Sequence, residues 1–240
     1  MPPIMMPNSD PEAMPQLSKP IDLTVGTHRV TAVLDRPTTA LALYVLAHGA
    51  GAGMNHPSMQ GLAAGLVDRR IAVLRFQFPY MEHGSRRPDS PAVCHATVRA
   101  AVAEAARQAP DLPLFAGGRS FGGRMSSQAQ SQAPLPGVRG LAFLAFPLHP
   151  AGKPDTERAA HLAGITVPML FIQGTRDALA ELELLQSVIG RLGQASLHLL
   201  ADADHALHVP ARSGRSNAAV TADALDALSA WMRRLTAAPT

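Results

Sequence analysis

Cysteine occurs once in this chain of 240 residues, at Cys94. A lone thiol excludes an internal disulfide framework and fits a reducing compartment, so a cytoplasmic protein is expected. Aromatic residues are scarce, at 4%, which leaves the core to Leu, Val, Ile and Ala. No apolar run reaches the roughly 18–20 residues that a bilayer crossing needs, and no membrane partner is expected. An excess of one charge sign is also missing. The 21 basic and 18 acidic residues leave a net +3, and the Arg pairs at 69–70, 86–87 and 233–234 have no aromatics between them. That pattern argues against a nucleic-acid surface, despite a sequence pI of about 9.6. No His, Cys or Asp cluster has metal-ligand spacing, so neither a metal nor another cofactor is implied. The first twenty residues contain six prolines and no charged segment leading into an apolar one. Residues 1–20 therefore read as a loosely ordered leader, not a secretory signal.

What is present is a globular composition, with 47% hydrophobic and 16% charged residues. The length suits one sizeable core, and residues 21–240 read as a single domain. Strand-like and helix-like segments alternate along it, the pattern of a mostly parallel sheet covered on both faces. Residues 21–25 and 28–34 predict an antiparallel start joined at Gly26-Thr27. Apolar runs at 41–47 and 112–116 predict two further strands, and 71–76, 138–146, 167–173 and 196–200 read as the rest. Helices are expected from Pro57, from Ser90-Pro91 with Ser90 as N-cap, over 120–131, across Leu182 to Leu192, and from Val220 to Leu235. Only residues 147–162 offer material for a small lid, so a large cap is not expected.

Three segments follow strands and carry chemistry. Gly118-Arg119-Ser120-Phe121-Gly122 has the G-x-S-x-G form of a nucleophile elbow, a tight strand-to-helix turn that projects a serine hydroxyl. Gly174-Thr175-Arg176-Asp177 and Ala203-Asp204-His205 come next in the chain. Serine is a poor nucleophile until a base takes its proton, and the base needs an acid to orient it. Ser120 as nucleophile, His205 as base and Asp177 as acid meet those needs in the order Ser, Asp, His. His208 is the alternative base, and Asp202 and Asp204 read as loop-ordering groups. The amide of Phe121, after the nucleophile, and that of Ala50, in the small-residue loop His48-Gly49-Ala50-Gly51, are the expected oxyanion donors; Gly51 is the alternative to Ala50. His48 reads as a residue that orders its loop. Gly118 to Gly123 has the glycine spacing of a phosphate loop, but Arg124 and Met125 stand where Lys and Ser/Thr are required. The loops at 77–87 and 147–154 are expected to line the pocket. Arg86, Arg87 and Lys153 read as solvated charge.

With these residues in hand, the chain from about 21 to 235 resembles the α/β-hydrolase superfamily in its small, dienelactone-hydrolase-like form. More narrowly it is similar to bacterial hydrolases related to the third regulatory subunit of the non-specific-lethal histone acetyltransferase complex. The strings that carry the likeness are His48 to Gly53, Arg75-Phe76-Gln77-Phe78-Pro79-Tyr80, Gly117 to Met125, Phe146-Pro147-Leu148-His149-Pro150 with Gly152-Lys153-Pro154, and Gln173 to Asp177. The resemblance implies an α/β-hydrolase fold with little or no cap domain and the roles given above for Ser120, Asp177 and His205. Dienelactone hydrolases use a Cys nucleophile where this chain has Ser120. The expected activity is hydrolysis of a small or medium carboxylic ester or thioester through an acyl-enzyme. The alternatives are a non-catalytic binding or scaffold subunit, and a triad turned to acyl transfer or peroxide chemistry.

Overall fold

The computed structural model describes residues 16–237. Eight strands form one sheet in the order β1-β2-β4-β3-β5-β6-β7-β8. They are β1 (Gln16–Val25), β2 (His28–Pro37), β3 (Ala42–Ala47), β4 (Ile71–Phe76), β5 (Leu114–Arg119), β6 (Val138–Leu144), β7 (Met169–Gly174) and β8 (Ala195–Leu200). The pairs β1–β2 and β2–β4 are antiparallel, and every pair from β4 to β8 is parallel. The helices are α1 (Pro57–Val67), α2 (Pro79–Glu82), α3 (Pro91–Gln108), α4 (Phe121–Gln132), α5 (Leu182–Ile189) and α6 (Asn217–Ala237).

The central strands are buried on both faces, as continuous apolar runs require. Along β3, Leu43, Val45 and Ala47 point into one core while Ala42, Tyr44 and Leu46 point into the other. The first core is roofed by α3, α4 and α5 through residues such as Val98, Met125 and Leu185. The second lies under α1 and α6, through Met59, Leu62, Leu66, Leu228 and Trp231. Each of these five helices therefore turns an apolar stripe to the sheet.

Three expectations change. Residues 16–20, assigned to the leader, form the first half of β1; Gln16 to Pro20 pair with Pro37 to Val33. Residues 1–15 lie outside the described residues. The stretch 77–87 is not all loop, because α2 interrupts it. Ser90 precedes α3 but makes no side-chain capping bond. The stretch considered for a lid contains a 3₁₀ segment, Glu157–Gly164, whose His161 is tied to α4: its ring Nε2 lies 2.7 Å from Ser127 Oγ, and its carbonyl accepts from Ser131 Oγ at 3.0 Å.

Candidate active site

Arg119 ends β5 and Phe121 begins α4, so Ser120 alone makes the turn, at φ 50° and ψ −119°. A non-glycine residue at positive φ costs on the order of 1–3 kcal/mol and persists only where its surroundings hold it. Here the Ser120 amide donates to Leu144 O at 2.9 Å, and the Ser120 carbonyl accepts from Arg124 at 3.1 Å. The glycines two positions either side are packing requirements. A side chain on Gly118 would strike the Ala47 carbonyl, and one on Gly122 would sit 2.5 Å from the carbonyl oxygens of Ala47 and His48. The elbow is thus pressed against the end of β3 and the loop that leaves it.

Asp177 and His205 meet Ser120 at this turn. His205 Nε2 lies 2.8 Å from Ser120 Oγ, and His205 Nδ1 lies 2.8 Å from Asp177 Oδ2. An ionised carboxylate only accepts, so Nδ1 carries the ring proton and Nε2 accepts from the hydroxyl. The Asp177 side chain is fully buried. Its Oδ1 accepts from the Leu179 amide at 2.8 Å, and its Oδ2 also accepts from Gln173 Nε2 at 2.5 Å. His208 does not reach the serine. Its amide donates to Asp204 Oδ1, as does that of Ala206, so Asp204 shapes the turn that presents His205. Asp202 contributes through its backbone, with its amide on Thr175 Oγ1.

The longer sequence strings brace the loops. His48 is fully buried; its Nε2 accepts from the Phe78 amide at 3.1 Å, and its Nδ1–H donates to Gly49 O at 2.8 Å. Burial lowers its pKa to about 4, which keeps it a neutral strut. Arg75 donates to Met54 O while ion-pairing with buried Asp35 at 2.9 Å, and Gln77 Oε1 accepts from the Met54 amide. The Tyr80 hydroxyl donates to Ala50 O at 3.0 Å. Burial and the nearby Cys94 and Asp89 push its pKa up, so it stays a donor. His149 repeats the device at the loop that carries Asp177: its Nε2 accepts from the Glu181 amide, and its Nδ1–H donates to Pro150 O.

A cavity of about 320 Å³ opens at the serine, lined by Gly49, Ala50, Ser58, Arg119, Ser120 and His205 among others. Neither 77–87 nor 147–154 lines it, contrary to expectation; Phe78 and Tyr80 brace the lining loop at 48–52 from behind, and His149 braces the loop that carries Asp177. Arg86, Arg87 and Lys153 are exposed. The cation in the cavity is Arg119, which the sequence reading passed over. Its only sequence signal is its place beside Ser120.

Residues 40–233 match the alpha/beta hydrolase domain family. The chain belongs to that family. Among solved structures it is similar to a dienelactone hydrolase from Anabaena variabilis (TM-score 0.75, 19% identity, 91% of this chain and 98% of that one). It is also similar to the lidless α/β serine hydrolase XC6422 from Xanthomonas campestris (0.71, 22%, 94% and 98%). A third likeness is to Est1E from Butyrivibrio proteoclasticus, solved with ferulic acid (0.70, 15%, 91% and 100%). The architecture is the α/β-hydrolase fold without an evident cap, and the chain is a hydrolase-family protein. Among the described residues, no helix is long and apolar enough to cross a membrane.

Proposed function

We propose that this protein is a serine hydrolase that cleaves a small or medium carboxylic ester or thioester. The observation that carries this reading is the continuous hydrogen-bond chain from Asp177 through His205 to Ser120, ending at a cavity. Ser120 Oγ attacks the carbonyl carbon as its proton passes to His205 Nε2. Asp177 stabilises the imidazolium and holds the ring. The amides of Phe121 and Ala50 receive the oxyanion; Phe121 opens α4, where the first amides have no intrahelical acceptor. When the tetrahedral intermediate collapses, His205 returns the proton to the leaving alcohol or thiol. Water then attacks the acyl-serine with His205 again as base, releasing the acid and restoring Ser120.

The test is labelling by a fluorophosphonate probe, read by intact mass. Stoichiometric labelling that disappears in a folded Ser120→Ala variant supports the reading, with turnover falling about a thousandfold or more. The narrower kinship, to bacterial relatives of the third regulatory subunit of the non-specific-lethal complex, belongs to this proposal. It also supplies the second reading, a binding subunit that does not turn over. The intact donor–acceptor chain favours catalysis, since a scaffold has no use for it. Folded wild-type protein that takes no label favours the binding subunit.

A further inference from the structure

Arg119 brings a positive charge into the wall of the cavity without a matching negative one. It lines the cavity at Ser120 and also a second cavity of about 390 Å³ beside it, bounded by Gly61, Leu62, Ala218, Ala222 and Leu225. Its guanidinium donates to two neutral oxygens, Ser58 Oγ at 3.0 Å and His205 O at 3.5 Å. None of the ion pairs among the described residues includes it. The nearest acids act on it only at longer range. Asp177 is buried behind His205, and Asp204 Oδ1 is taken by two backbone amides. Its half-buried position disfavours the charged form, offset in part by the fields of Asp204 and Asp177. A half-buried cation that bonds only neutral groups costs free energy unless something else completes it.

We infer that Arg119 is a specificity residue that binds a carboxylate on the substrate, so that the preferred ester carries an acidic group as well as the scissile bond. The inference rests on the hydrolase reading of this pocket. A planar guanidinium with N–H groups left over matches a carboxylate in two-point geometry, and such charge-assisted bonds are the strong ones. One unpaired cation balances one negative charge. The other arginine of the second cavity, Arg69, is already taken by Asp226 at 2.7 Å and by Gly65 O. A monocarboxylate therefore fits the charge balance better than a doubly charged phosphate.

The test measures binding without turnover, in the full chain carrying Ser120→Ala. The probes are 4-nitrophenyl hemisuccinate and its neutral isostere, 4-nitrophenyl 4-methylpentanoate. The hemisuccinate is expected to bind about tenfold or more tightly. Adding Arg119→Gln brings the ratio of dissociation constants close to one, and Arg119→Lys, which keeps the charge without the fork, leaves part of the preference. Equal affinity for the two probes overturns the inference, and so does a preference that survives Arg119→Gln. An equal loss for both probes in Arg119→Gln overturns it too, and assigns Arg119 to positioning His205 through its carbonyl. If the preference holds but wild-type protein cleaves neither ester, the hydrolase reading fails and the anion site stands.

Discussion

Gln173 Nε2 donates at 2.5 Å to Asp177 Oδ2, the same oxygen that lies 2.8 Å from His205 Nδ1. One carboxylate oxygen thus receives two donors while the other takes the Leu179 amide. Gln173 is fully buried, and its own Oε1 has no partner. A buried carbonyl left unsatisfied has a cost, so the amide is held in this orientation by what its nitrogen does for Asp177. In Gln173→Glu a second carboxylate meets the first, and like charges in a buried site cannot both ionise. The expected result is a kcat about a hundredfold below wild type on any ester the protein cleaves, with KM less affected. Gln173→Leu, which removes the donor without adding charge, should lose only about tenfold. Equal losses in the two variants would show that Gln173 matters for packing alone.

The Tyr80 hydroxyl offers a milder perturbation of the opposite wall. It holds the Ala50 carbonyl, and its ring packs with those of Phe78 and Phe121. Tyr80→Phe keeps the packing and removes the tether, so stability should fall by only about 1 kcal/mol. If the Ala50 amide serves the oxyanion, kcat should fall about tenfold from its loosened geometry. Unchanged kcat with an intact fold would shift the donor role away from Ala50.

Two glycines predict opposite signs for the same substitution. In Gly122→Ala the new methyl meets the carbonyl oxygens of Ala47 and His48 at 2.5 Å, both backbone atoms that cannot turn aside. The variant should lose on the order of 3 kcal/mol, because α4 must lift from β3. Gly61 sits exposed inside α1 with open space where a side chain would go. Gly61→Ala should add about 1 kcal/mol through helix propensity. Paired thermal melts read both; a neutral Gly122→Ala would mean that the elbow is looser than its contacts imply.

What the sequence made legible follows from where the signals are local. The run that became β3 is apolar throughout because both faces are covered, β4 differs from it only in the ion-paired Arg75, and the elbow declares itself through glycines that a close approach requires. The contacts that order the site are not local. Tyr80 reaches Ala50 across 30 residues, and His149 receives the Glu181 amide across 32; nothing in either segment names its partner. Helix α2 spans four residues, too few for a periodic stripe. The start of β1 carries exposed Ser18, Lys19 and Pro20 and is a strand because β2 extends to Pro37 to pair with it. The pocket wall was misplaced for a related reason. Strand-end loops all gather at one edge of the sheet, but which of them faces the serine depends on the direction in which the elbow turns, a property of Ser120's φ and not of the string.

The buried imidazole of His48 makes stability depend on pH with a definite sign. Its folded pKa is lowered from 6.5 to about 4 by burial, so between those values the unfolded chain binds a proton that the folded one does not. Stability from this group is therefore complete above pH 6.5 and is lost as pH falls toward 4. The shift implies a loss of about 2.5 kcal/mol by pH 4.5. Protonation would also turn Nε2 from acceptor to donor against the Phe78 amide, freeing the loop that carries Ala50. His48→Gln removes the titration while keeping a polar side chain. Denaturant midpoints for wild type and His48→Gln should differ more at pH 7.5 than at pH 4.5, with the wild-type curve falling more steeply through that interval. Parallel curves would show that His48 keeps its ordinary pKa and that the strut is open to water.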